Sequence, residues 1–190
     1  MMMSFIKQFF SNPRETGAVM PSSKALAEVM TEGVDRINPQ VIVEFGPGTG
    51  IFTEQIMRRK GPKSTFFALE INPYFHEMTQ KRCPDAVVYR DSAANMVTYL
   101  TKHNAKNCDC IISSLPWASF PENLQTEIMD AVQTALKPEG SFYTFAYIHA
   151  AFFSNGKRFY RMLRNRFQHV SRSKIIWINV PPAFVYKCVK

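Results

Sequence analysis

Apolar positions along the chain fall into two patterns: short unbroken runs, and stripes of helical period. The unbroken runs are Val41–Phe45, Thr65–Glu70, Ala86–Tyr89, Cys108–Ser113 and Ser141–Tyr147. Runs of this length, apolar on both faces, predict strands buried from both sides. Between them lie helical stretches: 22–36, started by Ser22 or Ser23, then 49–59, 73–82 with Asn72 as N-cap, 96–103 and 122–136. Lys137-Pro138-Glu139-Gly140 reads as a helix stop followed by a turn. A basic helix is predicted over 154–167, then two strands, 174–180 and 184–189, around a Pro181-Pro182 turn. At the N-terminus, a helix over 4–11 sets Met2, Phe5, Ile6, Phe9 and Phe10 on one stripe.

Strands alternating with helices predict an α/β fold with a mostly parallel sheet covered on both faces. The last two strands are joined too tightly for a crossover, so they form a C-terminal antiparallel hairpin on a seven-stranded sheet. The 190 residues are read as one domain, 1–190, whose helical segment 1–36 includes the apolar N-terminal stripe.

Composition narrows the chemistry. No run of about 18 apolar residues occurs, so no membrane span is expected, and Lys7 and Gln8 break the N-terminal run that a signal peptide would need. The four cysteines include a C-x-C pair, Cys108 and Cys110, which is neither a redox nor a zinc spacing. They predict reduced thiols in a cytoplasmic protein. The four histidines make no metal-binding pattern, and no metal is expected.

Charge changes the picture more. The net charge is +8, yet no acidic residue follows Glu139, while Lys157, Arg158, Arg161, Arg164, Arg166 and Arg172 cluster there. A one-sided basic segment predicts an anionic partner, a nucleic acid or an anionic membrane.

The strongest chemical signal is VIVEFGPGTGIFT, residues 41–53. A buried strand delivers Glu44, then Gly46, Gly48 and Gly50 open a helix. Three glycines in five positions let the backbone turn sharply and approach a ligand. The spacing departs from the dinucleotide fingerprint. Glu44 before the loop suits a cationic cofactor group, and the helix N-terminus a carboxylate. Glu70 ends the next strand, where it can accept two ribose hydroxyls or cap the following helix. Asp91, Ser92 and Ala93 end the third strand, where they read as an adenine site or as an N-cap. SLPW, residues 114–117, ends the fourth, with Trp117 either in the site or in the core.

This constellation resembles the class I methyltransferases that use S-adenosylmethionine, over essentially the whole chain. The resemblance implies a Rossmann-like fold. It implies that Glu44, Gly46, Gly48 and Gly50 hold the methionine part, Glu70 the ribose, Asp91-Ser92-Ala93 the adenine, and that Ser114 to Trp117 lie beside the methyl group. SLPW is similar to the loop of amino-group methyltransferases in which an Asn, Asp or Ser and a following aromatic hold the amine. GAVMPSSKALA (17–27) and NVPPAFVYK (179–187), together with GPGTG and SLP, resemble the soluble bacterial phospholipid N-methyltransferases, which act on phosphatidylethanolamine or ornithine lipid. A more distant similarity is to ribosomal RNA adenine dimethyltransferases, in which the aromatic stacks on the base; Ser114 stands here where those enzymes carry Asn.

A lipid substrate fits the residues. Phe5 and Phe9 on the N-terminal stripe either pack inward as core or lie on a bilayer; with a basic helix that has Phe159, Leu163 and Phe167 on one side and Arg158, Arg161 and Arg164 on the other, the second reading puts a peripheral monomer on the inner leaflet of the cytoplasmic membrane. Each surface cation there contributes about 1 kcal/mol. Methyl transfer needs a neutral amine. Tyr147 and His149, just past the fifth strand, are the candidates for handling its proton, Tyr147 ahead of His149. Tyr147, Tyr186 and Trp117 can surround a permanently charged product by cation–π contact.

Overall fold

The computed structural model describes residues 22–190. The helix expected over 4–11, with Phe5 and Phe9, lies outside the described residues. The described elements run α1 (Lys24–Ile37), β1 (Val41–Phe45), α2 (Ile51–Arg59), β2 (Thr65–Leu69), α3 (Pro73–Arg82), β3 (Val88–Tyr89), α4 (Met96–Lys102), β4 (Cys108–Ser113), α5 (Glu122–Ala135), β5 (Leu136–Tyr147), α6 (Ile148–Phe152), α7 (Ser154–Arg166), β6 (His169–Arg172) and β7 (Ala183–Val189). Short 3₁₀ turns at Ala93–Asn95 and Trp117–Ser119 were not legible as such.

The seven strands form one sheet in the order β3-β2-β1-β4-β5-β7-β6. β1 to β5 pair in parallel. β7 then pairs antiparallel with both β5 and β6. This is the mostly parallel sheet with a C-terminal antiparallel hairpin that the pattern predicts.

Alternate residues of each strand serve opposite faces. Val43, Phe45, Phe67, Ile111 and Phe142 meet α4, α5 and α7 on one side. Ile42, Phe66, Cys110, Ile112 and Tyr143 meet α1 and α2 on the other. Each fully buried Leu, Ile or Phe contributes about 1.5–3 kcal/mol relative to exposure, and two full layers of them explain why the strands read as unbroken apolar runs. α1 starts where Ser23 Oγ accepts from Leu26 N at 3.1 Å. It packs so closely that a Cβ on Gly33 would lie 2.2 Å from the Tyr143 hydroxyl.

The segment 137–140, read as a turn, is instead part of β5, which starts at Leu136 and takes up the irregular turn-forming residues as a shift in its register with β4. Two further expectations are corrected. The sixth strand is His169–Arg172, not 174–180. A tight two-residue hairpin at Pro181-Pro182 would need positive φ at the first central residue or at both, and proline is locked near −65°. The chain instead makes a loop from Arg172 to Ala183, held by Ser173 N donating to Val185 O and by the isolated pairing of Ile176 with Ala183. The second correction concerns α7. Its apolar side, Phe159 and Leu163, is buried in the core with Phe167, so it is not free to lie on a bilayer. Only its basic side faces solvent, and there Arg158 pairs with Glu122 while Arg161 and Arg164 are exposed.

Candidate functional site

The parallel strands end together, and the loops leaving them meet at one edge of the sheet, where open α/β sheets hold ligands. Two backbone bonds carry the ladder one residue further: Gly46 N donates to Leu69 O at 2.9 Å, and Ser114 N to Phe45 O at 2.8 Å. The glycine loop and the SLPW loop are thereby fixed side by side.

Gly46, Gly48 and Gly50 all have positive φ, at 64°, 60° and 79°. A side chain at Gly46 would press on Leu115, and one at Gly50 on Thr79. The loop is pinned from outside by Thr79 Oγ1, which donates to Gly48 O at 2.8 Å. From within, Glu70 Oε2 accepts from Gly48 N at 3.2 Å, while its Oε1 accepts from Asn72 N at 2.9 Å. Glu70 is buried and borders both cavities of the site. Burial pushes its carboxyl up to about 7, against the opposing pull of the Asn72, Gly48 and Ile71 amides.

Glu44 sits deeper than the sequence suggests. It is wholly buried and borders neither cavity. One oxygen accepts from Thr53 Oγ1 at 2.7 Å; the other, Oε1, has no partner among the described residues. Burial pushes its carboxyl up to about 8, with the Thr53 bond opposing and nearby Glu70 adding to the rise.

Asp91, Ser92 and Ala93 line a small cavity of about 30 Å³ together with Ile71, Leu115 and Phe120. Asp91 also ties its own turn, accepting from Ser92 N, Asn95 Nδ2 and Tyr99 OH. Partial burial would raise its pKa, but those three hydrogen bonds and Lys102 bring it below the usual value. The N-cap of the following 3₁₀ turn is Ser92, whose Oγ accepts from Ala94 N at 3.3 Å, so Asp91 lines the slot and ties the turn without capping it. This slot shares Gly46, Glu70 and Leu115 with a larger cavity of about 410 Å³. The apolar residues of the slot were not singled out in the sequence; Phe120, Leu124 and Ile128 are part of the inward face of α5 and its approach, which reads as ordinary core.

The large cavity brings together Ser114, Trp117, Tyr147, His149 and Tyr186. Trp117 is only 2% exposed. Its ring stacks on Phe159 at 4.8 Å, and its Nε1 donates to Ser113 Oγ at 3.1 Å. Its carbonyl accepts from Gln125 Nε2 at 2.6 Å. Ser114 Oγ is buried and has no partner among the described residues. Tyr147 stacks on His149 at 5.8 Å, and burial raises its phenol pKa, so it stays protonated. Tyr186 stacks on Tyr160, and the Arg172 guanidinium lies over both rings, at 5.2 Å and 4.1 Å. Phe159 also lines the cavity, a role hidden in the sequence by its place on a basic helix. Arg158, Arg161 and Arg164 lie outside the cavity.

The residues present fit S-adenosylmethionine. The glycine cradle leaves no room for side chains on Gly46 and Gly50, two buried carboxyls stand beneath and beside it, and a slot with an acidic turn adjoins Glu70. Among the described residues no group of three or more His, Cys, Asp or Glu is placed to hold a metal ion.

Known proteins agree with this geometry. The chain is 27% identical over 97% of its length to the ornithine lipid N-methyltransferase of Singulisphaera acidiphila, covering 93% of that protein. It is 26% identical to the ribosomal RNA small subunit methyltransferase A of Mycoplasmoides gallisepticum, but over only 48% of this chain and 35% of that one. The O-methyltransferase TomG of Streptomyces achromogenes, solved in complex with S-adenosylmethionine, superposes with a TM-score of 0.69 at 16% identity, over 97% of this chain and 89% of that one. A methyltransferase-domain model matches residues 10–176, and with the glycine cradle and its two carboxyls in place the chain belongs to that family, as an S-adenosylmethionine-dependent methyltransferase of class I fold.

Proposed function

We propose that the enzyme methylates the amine of a membrane lipid head group, ornithine lipid or phosphatidylethanolamine. The observation that carries this reading is the state of Trp117. In an adenine methyltransferase the aromatic of this loop stacks on the base. Here the indole is stacked on Phe159, hydrogen-bonded to Ser113 and nearly sealed from solvent. It forms a wall, and the cavity it walls is mostly apolar, with space for an aliphatic amine. The similarity to an ornithine lipid N-methyltransferase along almost the whole chain supports the same substrate class.

S-adenosylmethionine supplies a methyl group on a sulfonium, open to in-line displacement by a neutral amine. The glycine loop and Glu70 would hold it, with Glu44 Oε1 beneath as a spare acceptor and the Asp91 turn at the adenine end. Ser114 Oγ, buried and without a partner among the described residues, accepts an N–H bond from the incoming amine and aims its lone pair. Most of the rate then comes from that positioning. Tyr147 keeps its proton, so it donates or accepts hydrogen bonds without acting as a base; His149, stacked beside it, is the group placed to take the amine proton. The methylated product keeps a positive charge, and Tyr147 offers it an aromatic ring, while Trp117, packed against Phe159, only walls the space. Tyr186 contributes less, because Arg172 already lies against its ring. The protein would work at the inner leaflet as a peripheral enzyme; no helix among the described residues is long and apolar enough to cross a membrane.

The test is methyl transfer from labelled S-adenosylmethionine to three substrates in parallel: phosphatidylethanolamine and ornithine lipid in anionic liposomes, and ribosomal RNA. Label in a lipid is expected, and the better lipid names the head group. Label in RNA alone refutes the proposal.

A further inference from the structure

Five large apolar side chains stand in solvent along one rim of the cavity. Phe152 and Phe153, 71% and 65% exposed, form the corner between α6 and α7. Trp177, Ile178 and Val180, between 60% and 75% exposed, form the tip of the loop before β7. The two groups share the rim. Ile148 N donates to Pro182 O at 3.0 Å, and Ala151 and Pro181, the neighbours of Phe152 and Val180, both line the cavity. Ile175, 41% exposed, sits on the same loop, whereas Ile37, Tyr74 and Val97 are scattered on separate elements. Single exposed residues are ordinary, whereas a cluster at a binding site marks a contact surface.

The loop is held in shape although its side chains are bare. Asn179 Nδ2 donates to Pro181 O at 2.7 Å, and Asn179 Oδ1 accepts from Ser23 N at 2.9 Å. Ordering a loop while leaving an indole and two branched side chains in water gains nothing in the isolated protein. The surrounding charge says what covers them. Lys174 precedes the tip and Lys157 follows Phe153 by one helical turn, both exposed, and no acidic residue follows Glu139 in the chain. Apolar prongs set among cations match the boundary of an anionic bilayer, where indoles are favoured.

We propose that Phe152-Phe153 and Trp177-Ile178-Val180 are two prongs that insert into an anionic lipid surface and seat the mouth of the methyl-transfer cavity on it. This rests on the lipid-amine reading for its purpose, but its test does not depend on catalysis. Trp117 is sealed in the core, so Trp177 is the tryptophan whose emission responds to its surroundings. The full chain is mixed with phosphatidylglycerol–phosphatidylcholine vesicles, with and without brominated acyl chains. Trp177 emission is expected to shift to the blue and to be quenched by the brominated chains. The double variants Trp177→Ser/Ile178→Ser and Phe152→Ser/Phe153→Ser are each expected to lower vesicle co-sedimentation by roughly tenfold or more. Both should keep cofactor affinity and methyl transfer to a detergent-dispersed lipid amine. Unchanged co-sedimentation with an unquenched Trp177 overturns the proposal. So does Trp177 emission that is already blue without vesicles, which would mean that residues 1–21 or a second copy of the chain cover the prongs. Vesicle insertion by the prongs with label transferred to no lipid would leave the docking intact and refute the lipid-amine function instead.

Discussion

At the scale of single residues, two buried oxygens of the site, Ser114 Oγ and Glu44 Oε1, have no partner among the described residues. Ser114→Ala is expected to lower kcat/KM for the lipid amine by roughly 10–100-fold, the loss of one hydrogen bond to a developing charge, with cofactor affinity unchanged by calorimetry. Equal loss of cofactor binding would place Ser114 on the donor side instead. The two buried carboxyls give a pH signature. Glu44 and Glu70 are raised to about 8 and about 7 from an ordinary 4.5. In that window the folded chain holds protons that the unfolded chain has released, so stability falls as pH rises from about 4.5 towards 8. Urea midpoints of the cofactor-free protein should decline across this range, and Glu44→Gln should flatten much of the decline; a midpoint independent of pH would show that neither carboxyl is held neutral. The glycine loop and Glu70 were legible in the sequence because their spacing admits few alternatives. The depth of Glu44 was not, because a strand residue's face does not reveal how far the loop above it closes.

At the scale of elements, legibility followed periodicity. The parallel strands and their covering helices are unbroken apolar runs and clear stripes, and they lie where the pattern puts them, except that β5 starts at Leu136, within what reads as a helix stop and turn. The sixth strand failed because Lys174–Val180 has strand composition, yet the two prolines after it forbid the tight turn that strand would need. Likewise α7 has a true amphipathic stripe, but a stripe does not say whether its apolar side meets a core or a bilayer; Phe159 against Trp117 settles that it meets the core. Packing between elements is close where α1 crosses β5. Gly33→Ala puts a methyl into the Tyr143 ring, and is expected to destabilise by roughly 1–3 kcal/mol, read as a lowered melting temperature. An unshifted melting temperature would mean that α1 can slide away from the sheet at no cost.

At the scale of the molecule, charge and shape are divided between its parts. All acidic residues lie in the first 139 positions, and the part after them, which carries only basic charge of its own, holds the exposed face of α7 and the rim of the cavity. Membrane affinity should therefore be salt-sensitive. Arg161→Glu with Arg164→Glu is expected to weaken binding to anionic liposomes by roughly 30-fold, at about 1 kcal/mol for each cation removed, and to leave binding to neutral liposomes unaltered. A charge imbalance of this kind is plain in the sequence. Its location beside the cavity mouth is not, because it depends on how the last hairpin folds back along β5.

That hairpin has a consequence for assembly. β7 lies inside the sheet, between β5 and β6, yet it follows β6 in the chain. As the chain is synthesised, β5 keeps an open edge, and β6 has no strand to pair with, until Ala183–Val189 emerges. The same strand carries Tyr186 into the cavity wall. The elements that cradle the methyl donor thus leave the ribosome well before the wall that receives the acceptor. Until β7 is made, β5 keeps an open edge of the kind that invites mispairing, and the cavity lacks the side that Tyr186 lines, so this late strand is where co-translational misassembly is expected to concentrate.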